Sequence, residues 1–172
     1  MKYRFAVPAD LPAITLMLRA YLMEQQESGS PVLYTKRTLA AYEELARAYL
    51  AGGMFGVVVL SYEGDRLVGF ALAGEDTGGL RYDTTLGKVA FIWVVWVLPS
   101  HRKTGAGLGM LTFGRARLLE LGFVTASMSV RENNPQGQAL TLSYGAVPTE
   151  REYLFDLRGE PAHLNRKETS DG

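Results

Sequence analysis

Residues 91–111 read FIWVVWVLPSHRKTGAGLGML: an apolar run from Phe91 to Leu98, a proline, two cations and three alternate glycines. A strand apolar at every position is expected to be central and covered on both faces, because a half-exposed strand would alternate. Pro99 ends it. Arg102 and Lys103 follow, and Gly105, Gly107 and Gly109 lead into a helix predicted over 105–121, with Leu108, Leu111 and Leu118 on one face and Gly122 as its stop. The start of a helix carries unpaired N–H groups and the positive end of the helix dipole, which together attract anions. Glycine lets backbone approach phosphate oxygens closely, and the two cations add charge. The turn also lies at the C-terminal end of a central strand, where open α/β sheets place ligands. A diphosphate suits it. The glycine spacing is not G-x-G-x-x-G, because Met110 stands where the third glycine would be, and no G-x-x-x-x-G-K-[ST] occurs in the chain. Spacing alone fits a tight strand-to-helix turn equally well.

Reading outward, Met54 to Tyr62 and Arg66 to Ala73 form a predicted hairpin across Glu63-Gly64-Asp65. The polar, glycine-rich segment 74–87 joins it to the strand Lys88 to Leu98. Farther upstream come a short strand, Tyr3 to Val7, and a helix over 11–24 with Asp10 as its N-cap. A polar loop from Gln25 to Thr35 and a helix from Thr38 to Ala51 complete that half. Downstream lie a strand from Phe123 to Val130, a short helix from Pro135 to Tyr144, and a last strand from Glu150 to Leu157. The polar tail runs from Gly159 to Gly172. This order predicts a mixed α/β fold around one sheet. Trp93 and Trp96 are three residues apart in one strand, so alternation puts them on opposite faces.

With 172 residues, 47% of them hydrophobic, the chain fits one domain of the usual ~100–200 residues. Its 18 basic side chains balance 18 acidic ones, which argues against a nucleic-acid-binding surface. The absence of cysteine excludes a cysteine nucleophile, an iron–sulfur cluster and a thiolate zinc site. His101 and His163 have no carboxylate at ligand spacing, so no metal is expected. No G-x-S-x-G nucleophile elbow occurs. No window reaches the ~18 apolar residues of a membrane span, and the start MKYRFAVPAD lacks a signal-peptide core, so no membrane association and a cytoplasmic location are expected.

Arg102-x-x-Gly105-x-Gly107, directly after a strand ending Val97-x-Pro99, resembles the [Q/R]-x-x-G-x-[G/A] motif of the GNAT superfamily of N-acetyltransferases. Residues 3–14 are similar to that family's opening strand and first helix, Arg66 to Ala71 to its third strand, and Asn134 through Gly145-Ala146 to its late helix segment. The likeness runs in order from residue 3 to about 157. It implies a mostly antiparallel sheet splayed at a central parallel strand pair and flanked by about four helices, with residues 1–158 as the acyltransferase domain and 159–172 as a tail. It also implies acetyl-CoA as acyl donor. The backbone of Trp96, Val97 and Leu98 would hold the pantetheine arm, and Arg102, Lys103, Thr104, Gly105, Ala106, Gly107 and Leu108 the pyrophosphate, with Asn134 also contributing. The strands 88–98 and 123–130 would part after Val97 to admit the cofactor.

The acceptor implied is a primary amine of a small molecule or protein, with homodimerisation left open. The missing cysteine fits direct transfer without an acyl-cysteine. An amine of pKa ~10.4 must lose a proton before it attacks. Many family members use a glutamate on the strand matching 89–97, and this strand has none. Glu75, Asp76, Asp83 and Glu132 are the alternatives, beside an ordered water. The oxyanion would be met by backbone N–H near Val97. For the departing thiolate, the family's tyrosine position is Thr141 here. Tyr144, next to Gly145, is the preferred donor, ahead of Thr141 and Ser143. Glu24, Glu27, Glu75, Asp76 and Asp83 make the two loops beside the wedge mildly acidic, which would suit a cationic acceptor. The missing glutamate and displaced tyrosine motivate one alternative, a weakly active or inactive CoA-binding or partner-binding protein.

Overall fold

The computed structural model describes residues 1–28, 34–75 and 88–148. In chain order the strands are β1 (Lys2–Phe5), β2 (Gly56–Glu63), β3 (Arg66–Glu75), β4 (Lys88–Val97) and β5 (Phe123–Ser127). The helices are α1 (Leu11–Glu27), α2 (Lys36–Leu50), α3 (Ala106–Glu120) and α4 (Pro135–Ser143), with short 3-10 turns at Pro8–Asp10 and Pro99–His101. The strand expected over 150–157 and the tail lie outside the described residues.

The strands form one sheet in the order β1-β2-β3-β4-β5, antiparallel throughout except for the parallel pair β4–β5. Successive side chains of β2 point to opposite faces. Val58 and Leu60 therefore meet Ile14, Leu18 and Leu22 of α1 and Leu39 of α2. Val57 and Val59 meet Met110 and Leu111 of α3. Two apolar layers result, one on each face. β4 contributes to both, Val94 and Trp96 to the first and Ile92 to the second, as its unbroken apolar run required.

Asp10 caps differently from the sequence expectation. Its carboxylate accepts the Val7 N–H at 2.8 Å, closing the 3-10 turn, and holds both Arg4 Nη atoms at 2.7 Å. The first strand is tied to the first helix by this bidentate pair. Thr35 caps α2, accepting the Thr38 N–H at 3.0 Å, and the helix starts at Lys36. α1 continues to Glu27, so Gln25 and Glu27 are helical rather than loop residues, and Gly74 and Glu75 belong to β3.

Two features of β4 depart from the sequence reading. Leu72 pairs with Val94 and its neighbour Ala73 with Ile92, so Trp93 is an extra residue, a β-bulge. The bulge resets the alternation. Trp93 and Trp96 consequently pack on the same side, against the α1/α2 layer, and not on opposite faces. Trp93 Nε1 donates to the Tyr49 hydroxyl at 3.1 Å, and Trp96 Nε1 to Glu24 Oε2 at 2.9 Å. The parallel ladder also stops early. Its last pair is Phe91 with Ser127, because β5 ends there, so the strands part after Phe91 and not after Val97.

Candidate active site

Among the described residues Ile92 to Val97 have no partner on the β5 side, which makes an open edge of about 20 Å at ~3.3 Å per residue. Its polarity follows from one bond. The Leu98 N–H donates to the Val68 carbonyl of β3 at 2.8 Å. Backbone groups alternate along a strand, so those of Val97 and Val95 point the other way, into the opening. The Arg102 side chain agrees, its Nε donating to the Val97 carbonyl at 3.1 Å. The Val97 N–H lies on this same open side, where the sequence reading sought an oxyanion donor.

The turn after β4 is built to expose donors. Lys103 and Gly105 both have left-handed backbone, with φ of 62° and 86°. For a side chain as large as lysine that conformation is uncommon. Thr104 Oγ1 donates to the His101 carbonyl at 2.7 Å and fixes the turn. Gly105 is the N-cap of α3 and offers no side-chain acceptor. The first helical bond runs from Gly109 N–H to Gly105 carbonyl at 2.8 Å. The N–H groups of Ala106, Gly107 and Leu108 therefore lack helical partners.

The three glycines have three different reasons. Gly105 supplies the left-handed φ. A Cβ at Gly107 would lie 3.2 Å from Leu140 of α4 and 3.7 Å from Val95 of β4, so Gly107 lets those elements close on the helix start. A Cβ at Gly109 would fall 2.0 Å from the Tyr3 hydroxyl, so that glycine makes room for β1.

Arg102 is already engaged. Its Nη2 lies 2.5 Å from Glu24 Oε2 in a half-exposed ion pair. Burial raises the Glu24 carboxyl, but the hydrogen bonds from Arg102 and Trp96 outweigh it, and the group sits below its ordinary 4.5. Glu24 is thus a poor proton acceptor and is unavailable to a cationic ligand. Glu75 is also committed, with Lys88 Nζ at 3.0 Å and the Phe55 N–H at 3.3 Å. These two pairings engage two of the five acidic residues that the sequence places beside the wedge, and Glu27 stays exposed and, among the described residues, outside any ion pair. Among the described residues Lys103 makes no ion pair, which leaves it as the unpaired cation of the turn. Glu132 is exposed, and Asp76 and Asp83 lie outside the described residues.

The side chain of Asn134 accepts the Gly137 N–H at 2.9 Å as the N-cap of α4. On α4, Thr141 and Ser143 donate to carbonyls of their own helix at 2.6 Å, while the Tyr144 hydroxyl reaches the Leu111 carbonyl of α3 at 3.2 Å. Burial raises the Tyr144 hydroxyl above its ordinary 10.0, with the Arg115 charge opposing. His101 is buried within the 3-10 turn between Ser100 Oγ at 2.8 Å and Glu63 at 3.1 Å, away from the opening. Among the described residues no group of three potential metal ligands gathers, and no helix is long and apolar enough to cross a membrane.

Sequence reasoning missed Arg131, which follows β5 and bridges to α1. Its Nη2 lies 2.6 Å from Gln25 Oε1 and 2.8 Å from Ser28 Oγ, and Asn133 Nδ2 donates to the Ser28 carbonyl at 3.2 Å. Nothing local in the sequence marks these contacts, which join residues more than 100 positions apart.

The model of the acetyltransferase (GNAT) family matches residues 18–145. No curated protein sequence matches the chain. Among solved structures, a predicted acetyltransferase from Clostridium acetobutylicum with acetyl-CoA aligns with TM-score 0.67 and 18% identity, over 91% of this chain and 96% of that one. The aminoglycoside acetyltransferase AAC(6')-Iy, bound to a bisubstrate analogue, aligns with TM-score 0.66 and 18% identity over 90% and 96%. A GCN5-related N-acetyltransferase from Ralstonia eutropha JMP134 gives 0.64 and 24% over 92% and 99%.

Proposed function

The chain belongs to the acetyltransferase (GNAT) family, and from that premise we propose that it transfers an acetyl group from acetyl-CoA directly to a primary amine. One observation carries the reading: among the described residues, an unpaired edge of β4 leads into a helix start whose first N–H groups are free. A thioester arm with amide groups fits an unpaired strand edge, and a diphosphate fits free N–H groups at a helix start.

When bound, acetyl-CoA supplies an activated acyl group and a thiol leaving group. Ala106, Gly107 and Leu108 would hold the pyrophosphate through backbone N–H, with Lys103 adding charge. Arg102 holds the Val97 carbonyl and thereby orients the strand end. The Val97 N–H would donate to the acyl oxygen as negative charge develops there. Tyr144 is assigned proton donation to the thiolate. It is favoured over Thr141 and Ser143 because its bond is longer and leads out of its own helix. Among the described residues no uncommitted carboxylate lines β4, so amine deprotonation is assigned to ordered water.

The test is an acetyl-CoA titration followed by an amine panel, read by release of free thiol. The assay has no protein background because the chain has no cysteine. Acetyl-CoA is expected to raise the melting temperature, as any ligand of the native state must. No shift at saturating acetyl-CoA would end this reading.

A further inference from the structure

We propose that the acceptor amine also carries a carboxylate, and that the Arg131 guanidinium, with the Ser127 hydroxyl deeper in the fork, recognises it; this rests on the transfer reading above. Ser127 is the last β5 residue paired with β4, so it marks the floor of the opening. Arg131 stands four residues on, in the segment that forms the β5 side.

Among the described residues, two side-chain atoms are buried with no hydrogen-bond partner: Ser127 Oγ and Arg131 Nη1. Native folds rarely leave such groups, and each one calls for a reason. Here both are donors, both lie on the same short segment, and one belongs to a permanent cation. What Arg131 Nη1 lacks is an acceptor, for which negative charge suits best, and the Ser127 hydroxyl is able to donate to one as well.

The partners Arg131 does have are weak ones for a guanidinium. Gln25 Oε1 and Ser28 Oγ are neutral, and no carboxylate among the described residues pairs with it. Glu27 and Glu132 are its nearest acidic neighbours along the two segments, and both are exposed and outside any ion pair. A carboxylate can therefore displace neutral partners at the end of α1 without breaking a salt bridge. The planar fork of arginine matches a carboxylate with two parallel bonds.

Charge at this end argues the same way. Glu24 is neutralised by Arg102. Arg131 is then the half-buried charge of the bridge between α1 and the β5–α4 segment, while Glu27 and Glu132 stay in solvent, where their charge is screened. An amine bearing its own carboxylate, of the amino-acid type, is the class that fits.

The experiment pairs each common L-amino acid with its α-amide, adds kanamycin as a polycation, and measures kcat/KM with saturating acetyl-CoA. The free acids are expected to exceed their amides by about 10- to 100-fold, the worth of a hydrogen-bonded charge. Arg131→Gln should erase that ratio by slowing the acids and leaving the amides and acetyl-CoA affinity within about threefold. Arg131→Lys should keep a reduced preference, because charge remains and the fork is lost. Equal rates for acids and amides overturn the proposal, and so does a preference for kanamycin. An acid preference surviving Arg131→Gln also overturns it. If that variant fails to fold, Ser127→Ala and the acid-to-amide ratio of the unmodified protein still decide. Turnover of no amine by protein that binds acetyl-CoA overturns the acceptor class, whereas failure to bind acetyl-CoA refutes the transfer reading instead.

Discussion

Alanine at Gly109 is the sharpest test of the packing, because two opposing terms can be worked out. The residue lies in the first turns of α3, where replacing glycine by alanine ordinarily gains about 0.8–1.0 kcal/mol. The added Cβ, however, would stand 2.0 Å from the Tyr3 hydroxyl and 2.3 Å from its Cζ. Comfortable carbon contacts begin near ~3.5 Å, so the ring must retreat by more than 1 Å or α3 must lift. Tyr3 pairs with Ser61 in the β1–β2 ladder and its ring lies 6.2 Å from that of Phe113, so the move disturbs both strand and helix. Overpacking of this kind costs about 1–3 kcal/mol, and the net expectation is a loss of about 1 kcal/mol. In a Tyr3→Ala background the clash is gone, and the same substitution should stabilise by about 0.5–1 kcal/mol. Urea denaturation of the four proteins in this double-mutant cycle measures the change of sign. Acetyl-CoA affinity should stay within twofold in the Gly109→Ala protein. A neutral or stabilising Gly109→Ala with Tyr3 present would refute the reasoning, and so would a loss that persists without Tyr3.

Gly105→Ala, by contrast, meets no atom within 4 Å but must hold φ at 86°, so about 1–2 kcal/mol of stability and at least tenfold in acetyl-CoA affinity should be lost together, as denaturation and calorimetry would report. Arg102→Glu faces Glu24 with a second carboxylate and releases the Val97 carbonyl, and acetyl-CoA should bind at least tenfold more weakly by calorimetry; unchanged affinity would remove Arg102 from the cofactor turn. Tyr144→Phe should lower kcat by about tenfold or more with little change in acetyl-CoA KM, and should remove the alkaline limb of the pH–rate profile, whereas an unchanged profile would reduce the hydroxyl to a tie between α4 and α3. Asp10 has a carboxyl held below its ordinary 3.8 chiefly by hydrogen bonds from Arg4, with burial opposing. A lowered folded value means stability that is present above pH 3.8 and disappears as pH falls through the folded pKa. Asp10→Asn should therefore cost about 0.5–1 kcal/mol at pH 7, discounted for the exposure of Arg4. The gap should close in acid, and a gap constant from neutral pH to pH 2 would exclude the ion pair as its cause.

What was legible in the sequence, and what was not, divides along one physical line. Element order, the centrality of β4 and the donor-rich helix start are written in local patterns: an apolar run, a proline, left-handed glycine. The apolar run that reveals β4 also conceals its phase. Where every residue is apolar, a bulge at Trp93 shifts no polar side chain into the core, so composition cannot register it. The same blindness hid the parting of β4 from β5, which depends on where β5 ends rather than on anything within β4. Arg102 shows the limit from the other side. The motif identified a cation at the turn, yet its charge is spent on Glu24, 78 positions away, and only the folded chain brings them together. Arg131 lies outside every motif and keeps the charge that Arg102 gives up. The cofactor site proposed for this protein rests chiefly on backbone N–H groups and is readable locally. The acceptor site proposed at Arg131 rests on side chains that α1 and the β5–α4 segment bring together, and that is the part of a sequence least able to announce itself.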